Sequence, residues 1–227
     1  MGYFIIAGIM TAIGMFVSNR LKSKFAKYSR IPVQAGISGQ EVALKMLDHY
    51  GITNVQVTQG TGVLTDHYNP MTRVVKLSPE VFSGRSIASV AVAAHEVGHA
   101  VQHATSYHWL KMRSAIVPFV NLAATAQSFL LMFALGVSGG AGNNMILLIT
   151  IVAFMVTTVF SFITLPVEFD ASRRGLAWLQ DSGITRSGSE FDGAKDALWW
   201  AAMTYVAKAL SSLALVLYLI LRYGSNR

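Results

Sequence analysis

Two histidines and a glutamate stand close together near the middle of the chain, as His95, Glu96 and His99. The run around them, residues 86–105, is rich in Ala and Val, contains no Pro and predicts a buried helix. Residues four apart lie on one face of a helix, so His95 and His99 can bind the same Zn²⁺. Glu96 is the next residue round the helix and can act as a general base toward water there. The spacing therefore predicts half of a hydrolytic zinc site.

A catalytic zinc needs a third protein ligand, and a chain without Cys must supply it from His or a carboxylate. His103 lies one turn beyond His99, but a straight helix cannot bring three successive turns to one ion. His67 and His108 remain alternatives. Glu168 is the favoured ligand. It follows a long apolar segment, whose helix can hold it firmly beside the helix of His95 and His99.

Several neighbours of this site have open roles. Glu168 could instead be an interfacial carboxylate that pairs with Arg173 or Arg174. Asp170 or Ser172 is predicted to orient one imidazole through its other nitrogen. The donor that stabilises the oxyanion of the reaction is left open among four residues: His67, Tyr68, His103 and Arg173.

The composition indicates a membrane protein. Hydrophobic residues make up 53% of the 227 residues and charged residues only 13%, against about 25% in typical soluble domains. The formal net charge is +7, and the basic residues cluster beside apolar runs. That clustering fits the positive-inside rule better than nucleic-acid binding.

Four apolar segments predict membrane spans, at 1–19, 116–137, 145–165 and 199–221. The first could instead be an interfacial helix. The section between the first two spans holds most of the Lys and Arg, whereas the turn at 138–144 has none. We therefore expect the N-terminus and that turn outside, and both polar sections in the cytoplasm.

The polar sections predict short elements. A capping box at Ser38 and Glu41 begins a helix over Gly39–His49. A strand is expected at 52–58, and a hairpin of 63–67 and 73–77, with 73–77 as an edge strand open to a peptide. Pro79 opens a short helical turn. Pro166 is expected to end the third span, and 167–198 to form two short helices broken at Gly183 and Gly188.

The predicted fold is therefore mainly α with a small β-hairpin or sheet. It is a four-span helical integral membrane protein with a gluzincin-like cytoplasmic zinc-peptidase domain. Its sections are the first span (1–19), a catalytic section (20–115), a transmembrane hairpin (116–165), a section with the third ligand (166–198), and the fourth span with the tail (199–227).

Six stretches of the chain, which cover most of it in order, match a known family: ISGQEVALKMLDHYGI, LTDHYNP, VVKLSPEVF, VAVAAHEVGHAVQHA, RSAIVPFV and LPVEFDASRRGL. Through them the chain resembles the bacterial membrane neutral zinc metallopeptidases of the YugP type, and more distantly the HtpX-like gluzincins. The resemblance implies a zinc endopeptidase with ligands His95, His99 and Glu168 and the base Glu96. Ser172 departs from the HtpX-like pattern, which has Asp there.

The expected function is hydrolysis of peptide bonds in a multi-pass protein of the bacterial cell membrane, with membrane-protein turnover as its setting. One Zn²⁺ per chain is expected, although Mn²⁺, Co²⁺ or Ni²⁺ accept the same ligands. The expected partners are the bilayer and a peptide bound as an added strand, without nucleic acid. The alternatives are a non-catalytic metal-binding scaffold and a zinc amidase with a non-peptide substrate.

Overall fold

The computed structural model describes residues 2–134, 144–186 and 188–225. The described part is mainly helical with a small sheet, as the sequence predicts. Its elements in chain order are α1 (Gly2–Ser29), α2 (Gly39–His49), β1 (Gln56–Gln59), β2 (His67–Asn69), β3 (Val74–Leu77), α3 (Pro79–Ser83), α4 (Ile87–Ala104), α5 (His108–Ala134), α6 (Asn144–Asp181) and α7 (Gly188–Ser225).

The chain divides into two compact units. The first, here the site unit, comprises Ser18–Leu110 and Pro166–Met203. The second, here the apolar unit, comprises Met1–Val17, Lys111–Leu165 and Thr204–Arg227. Long helices contribute to both units, because α1, α6 and α7 each pass from one into the other.

The core of the site unit is built around α4. Its Ala and Val side chains are almost all buried, so α2 and α3 can pack closely on it. The predicted helix α2 is confirmed with its capping box: the Ser38 amide donates to Glu41 at 2.7 Å, and the Glu41 amide donates to the Ser38 hydroxyl at 3.3 Å. Ser86 caps α4 by accepting from the Ser89 amide, which confirms the predicted start of the helix that carries His95 and His99.

The sheet has the order β1-β3-β2, with β1 parallel and β2 antiparallel to β3. The predicted hairpin is present, but its first strand is shorter and begins at His67. The expectation of an edge strand at 73–77 is wrong. Since β1 pairs with β3 across a long-range parallel contact, β3 lies in the centre and β2 is the edge strand that packs on α4.

The third predicted span continues further than expected. Pro166 lies inside α6, and the helix ends only at Asp181. A proline inside a helix costs about 3 kcal/mol. Here the residues after it, Val167, Glu168 and Ala171, are buried, so continued packing offsets that cost. The two short helices predicted for 167–198 are therefore parts of α6 and α7, separated around Gly183.

The apolar unit leaves large apolar side chains exposed, among them Leu122 at 74% and Phe119 at 67%. Four helices of the described residues are long and apolar enough to cross a membrane: α1, α5, α6 and α7. Polar side chains bond between helices within the unit, since the Gln127 amide donates to the carbonyl oxygen of Ala153 at 2.9 Å. The predicted turn at 138–144 lies outside the described residues except for Asn144.

Candidate metal centre

Three side chains from two helices of the site unit converge on one point. His95 and His99 come from α4, and their Nε2 atoms lie 3.4 and 3.5 Å from Oε2 of Glu168 on α6. The potential ligand atoms of the three residues all lie within 4.8 Å of one another. Glu168 is only 2% exposed. The structure thus brings together the two histidines and the carboxylate that the sequence singled out.

The other nitrogen of each imidazole also has a partner. Nδ1 of His95 lies 3.0 Å from the Ser172 hydroxyl, and Nδ1 of His99 lies 3.0 Å from Oε1 of Gln102. These contacts leave both Nε2 atoms facing Glu168. Partners of this kind fix the orientation and tautomer of histidines that bind metals.

The orientation of Gln102 is itself fixed by two acceptors. Its amide nitrogen donates to the carbonyl oxygen of Val167 at 2.8 Å and to Oδ2 of Asp170 at 2.9 Å. Its oxygen must therefore face His99, so Nδ1 of His99 donates to it and Nε2 is the nitrogen left to bind a metal ion. Gln102 is fully buried and connects α4 with α6.

The sequence did not predict a role for Gln102. The only available signal was its position three residues after His99, and that signal is weak. Of the two residues predicted to orient an imidazole, Ser172 contacts His95 directly. Asp170 reaches His99 only through Gln102, and it also accepts from Arg174 at 2.5 Å.

The two helices can approach closely because each has a glycine at the contact. A β-carbon on Gly98 of α4 would lie 2.5 Å from the carbonyl oxygen of Ala171. A β-carbon on Gly175 of α6 would lie 2.9 Å from the carbonyl of Ala94. Both distances are too short for a real side chain, so glycine sets the separation at which Glu168 reaches the histidines.

Glu96 is buried on α4 beside the two histidines. Burial raises the pKa of the Glu96 carboxyl above its usual value, although the neighbouring imidazoles act in the opposite direction. A carboxylate whose pKa moves toward neutrality is a better general base at physiological pH.

The remaining predicted residues fall into two groups. The Tyr68 hydroxyl on β2 lies 2.8 Å from Nδ1 of His103, so these two form a pair that joins β2 to α4. The others lie apart from the three converging side chains. His67 bonds to the carbonyl oxygen of Thr65, Arg173 is exposed and pairs with Asp170, and His108 is exposed at the start of α5.

The donor set fits a zinc ion. Zinc in hydrolytic sites is commonly held by two imidazoles and one carboxylate, with a further position open. Here two imidazoles present Nε2 to a buried carboxylate, and their other nitrogens are partnered. His95, His99 and Glu168 are therefore the residues that could hold the ion.

Almost the entire length of the chain matches a known protein family. Residues 3–224 match the family described as "Putative neutral zinc metallopeptidase", and the chain belongs to that family. It is 41% identical over 208 residues to "Putative membrane protease YugP" of Bacillus subtilis (strain 168), covering 92% of this chain and 90% of the relative. No solved structure matches the chain. The resemblance predicted from the motifs is thereby confirmed.

Proposed function

We propose that this protein is a membrane-embedded zinc metalloendopeptidase. The observation that carries the proposal is the convergence of His95, His99 and Glu168, with Glu96 buried on the same helix as the two histidines. Membership of a zinc metallopeptidase family and likeness to a protein named a membrane protease support it.

The three converging residues would hold the metal, and Glu96 would be the general base. Zinc bound there supplies a Lewis acid that polarises the scissile carbonyl and acidifies water. Glu96 accepts the proton of the attacking water and passes it to the leaving amine. Its raised pKa and burial suit both transfers.

The oxyanion donor is proposed to come from the pair of Tyr68 and His103. Tyr68 lies on the strand that packs on α4, and His103 follows the ligand His99 by one helical turn. The other two candidates fit less well. Arg173 forms an ion pair with Asp170, and His67 is exposed and bonded to the carbonyl oxygen of Thr65.

The substrate is proposed to be an extended peptide that adds to β2. This strand pairs with β3 on one side only, among the strands of the described residues. Backbone pairing at such an edge selects extended chain and tolerates varied side chains. Unstructured loops and tails of membrane proteins would suit it, in line with a role in membrane-protein turnover.

The four apolar helices are proposed to cross the bacterial cell membrane, with the site unit on the cytoplasmic side. The lengths of the helices allow crossing, and the basic residues cluster in the two polar sections. By the positive-inside rule, that distribution favours a cytoplasmic position for those sections.

The test compares the parent with Glu96→Gln, each loaded with zinc in detergent and incubated with unfolded casein. The parent is expected to cleave casein, and a chelator should stop it. Glu96→Gln should bind zinc as the parent does and lose cleavage by at least about 100-fold. Cleavage by the variant at the parent rate would overturn the mechanism, and a zinc-loaded parent without hydrolase activity would favour a scaffold.

A further inference from the structure

A second feature of the site unit is a cavity of about 360 Å³ beside α4. One wall is the turn between α2 and β1, a second is the hairpin of β2 and β3, and the third is α4 itself. Ala100 and Ala104 line the α4 wall, and their small side chains leave the space open. The lining residues from the other elements include Tyr50, Asn54, Tyr68 and Arg73.

The cavity begins close to the metal-binding residues. His103 lines it and lies four residues beyond His99, which is about 6 Å along a helix. An extended peptide advances about 3.3 Å per residue. A peptide whose scissile bond lies at the metal centre would thus bring the side chain about two residues away to the cavity.

The cavity carries positive charge without a balancing acid. Arg73 lines it, and none of the lining residues among the described part of the chain is Asp or Glu. Burial raises the pKa of the Tyr68 hydroxyl, whereas the positive charge of Arg73 acts to lower it, so the two groups are close enough to interact. The Tyr68 hydroxyl in turn bonds to His103.

The backbone at Arg73 is unusual. Its φ is +54°, in the left-handed region that residues with a β-carbon seldom adopt. Strained residues of this kind cluster at functional sites, since the surrounding fold must hold them in place. Arg73 ends the hairpin turn, and Asn69 at the start of that turn accepts from the amides of Met71 and Thr72.

We propose that this cavity is a substrate subsite that binds a carboxylate of the peptide, with Arg73 as the residue that recognises it. The inference rests on the proposed peptidase function. The carboxylate has two possible sources, the side chain of Asp or Glu and the free C-terminus of the peptide. An arginine offers either of them a charge-assisted, bidentate contact.

The test measures binding rather than turnover, with the zinc-loaded Glu96→Gln protein in detergent. One series of amidated peptides carries Glu or Gln at each position in turn. A second pair differs only in a free or amidated C-terminus. We expect one carboxylate to tighten binding about tenfold over its neutral counterpart, the size of a charge-assisted contact.

Arg73→Gln should remove that preference, and Arg73→Glu should reverse it, so that the neutral peptide binds more tightly than its charged counterpart. Lys45→Gln is the matched control: Lys45 is an exposed cation on α2 that does not line the cavity, so its loss should keep the preference. The pair of peptides that shows the preference identifies the source of the carboxylate.

Equal affinity for the charged and neutral peptides in both series would overturn the subsite, as would a preference that survives Arg73→Gln. The proposed function has its own readout, cleavage by the parent protein. A parent that cleaves casein while both peptide series bind equally would contradict the subsite alone. A parent that cleaves nothing, with carboxylate preference intact in the binding assay, would contradict the peptidase alone.

Discussion

Two of the contacts that the histidine helix α4 makes, one with α6 and one with the hairpin of β2 and β3, differ in how firmly they are held. On one side α4 meets α6 through Gly98 and Gly175, with the buried Gln102 bonded to both helices. On the other side α4 meets the hairpin, where one hydrogen bond joins Tyr68 to His103 beside an open cavity. The first contact can fix the position of ligand atoms. The second leaves room for a substrate.

The difference reflects what each side has to do. A metal site needs its donor atoms held closely, so it suits helices in backbone contact, with buried and satisfied polar groups. A substrate site must open to a chain that is not always present. If this division is correct, changes at the α4–α6 contact should weaken zinc binding. Changes at the hairpin should instead affect the binding or cleavage of substrate.

Among changes outside the three converging residues, the largest loss of zinc affinity is expected from Gly98→Ala. Its new β-carbon would meet the carbonyl of Ala171, so α6 must move away and carry Glu168 with it. Zinc binding must press α6 back against that β-carbon, so the cost of overpacking, about 3 kcal/mol, falls on binding and lowers zinc affinity about 100-fold. Zinc titration in detergent measures it.

The control for this variant is Gly14→Ala on α1. A β-carbon at Gly14 meets nothing within 4 Å, and Ala is a better helix former. That variant should be at least as stable as the parent in thermal unfolding. Parent-like zinc affinity in Gly98→Ala would show that the close approach of the helices does not position the ligands.

A smaller loss of zinc affinity is expected from Gln102→Ala. The change removes the acceptor that orients His99 and leaves Asp170 without one of its donors. Loss of a partner that orients a metal ligand typically weakens metal binding by about 10- to 100-fold. Gln180→Ala, at an exposed site on α6, is the control and should bind zinc as the parent does. Equal zinc affinity in the two variants would contradict the role of Gln102 in orienting His99.

The smallest change in zinc affinity is expected from Tyr68→Phe. It deletes the hydrogen bond to His103 and leaves the α4–α6 contact intact. Zinc affinity should stay within about twofold of the parent, whereas casein cleavage should fall by about 100-fold if Tyr68 helps to stabilise the oxyanion. A large loss of zinc with unchanged cleavage per bound zinc would reverse the comparison between the two sides.

The sequence predicted the parts of the centre that follow from local spacing. The four-residue separation of His95 and His99 places both on one face of a helix, whatever the rest of the chain does. Glu168 could be predicted as a candidate ligand because it follows a long apolar segment, where a carboxylate is either a ligand or an interfacial charge.

Gln102 and the place of β3 were not predictable in this way. Gln102 acquires its role only when α6 brings Val167 and Asp170 to it, more than 60 positions along the chain. The central position of β3 depends on its parallel pairing with β1, a contact between separate segments. The continuation of α6 through Pro166 likewise depends on buried contacts that no local pattern records.

The central claim is that His95, His99 and Glu168 hold one zinc ion between them. X-ray absorption spectroscopy of the zinc-loaded protein, in parallel with zinc stoichiometry, tests it most directly when the parent is compared with Glu168→Ala. The account predicts one zinc per parent chain, with two imidazole nitrogens and a carboxylate oxygen as protein ligands, and loss of that oxygen and of tight binding in the variant. An unchanged spectrum and full zinc occupancy in Glu168→Ala would contradict it.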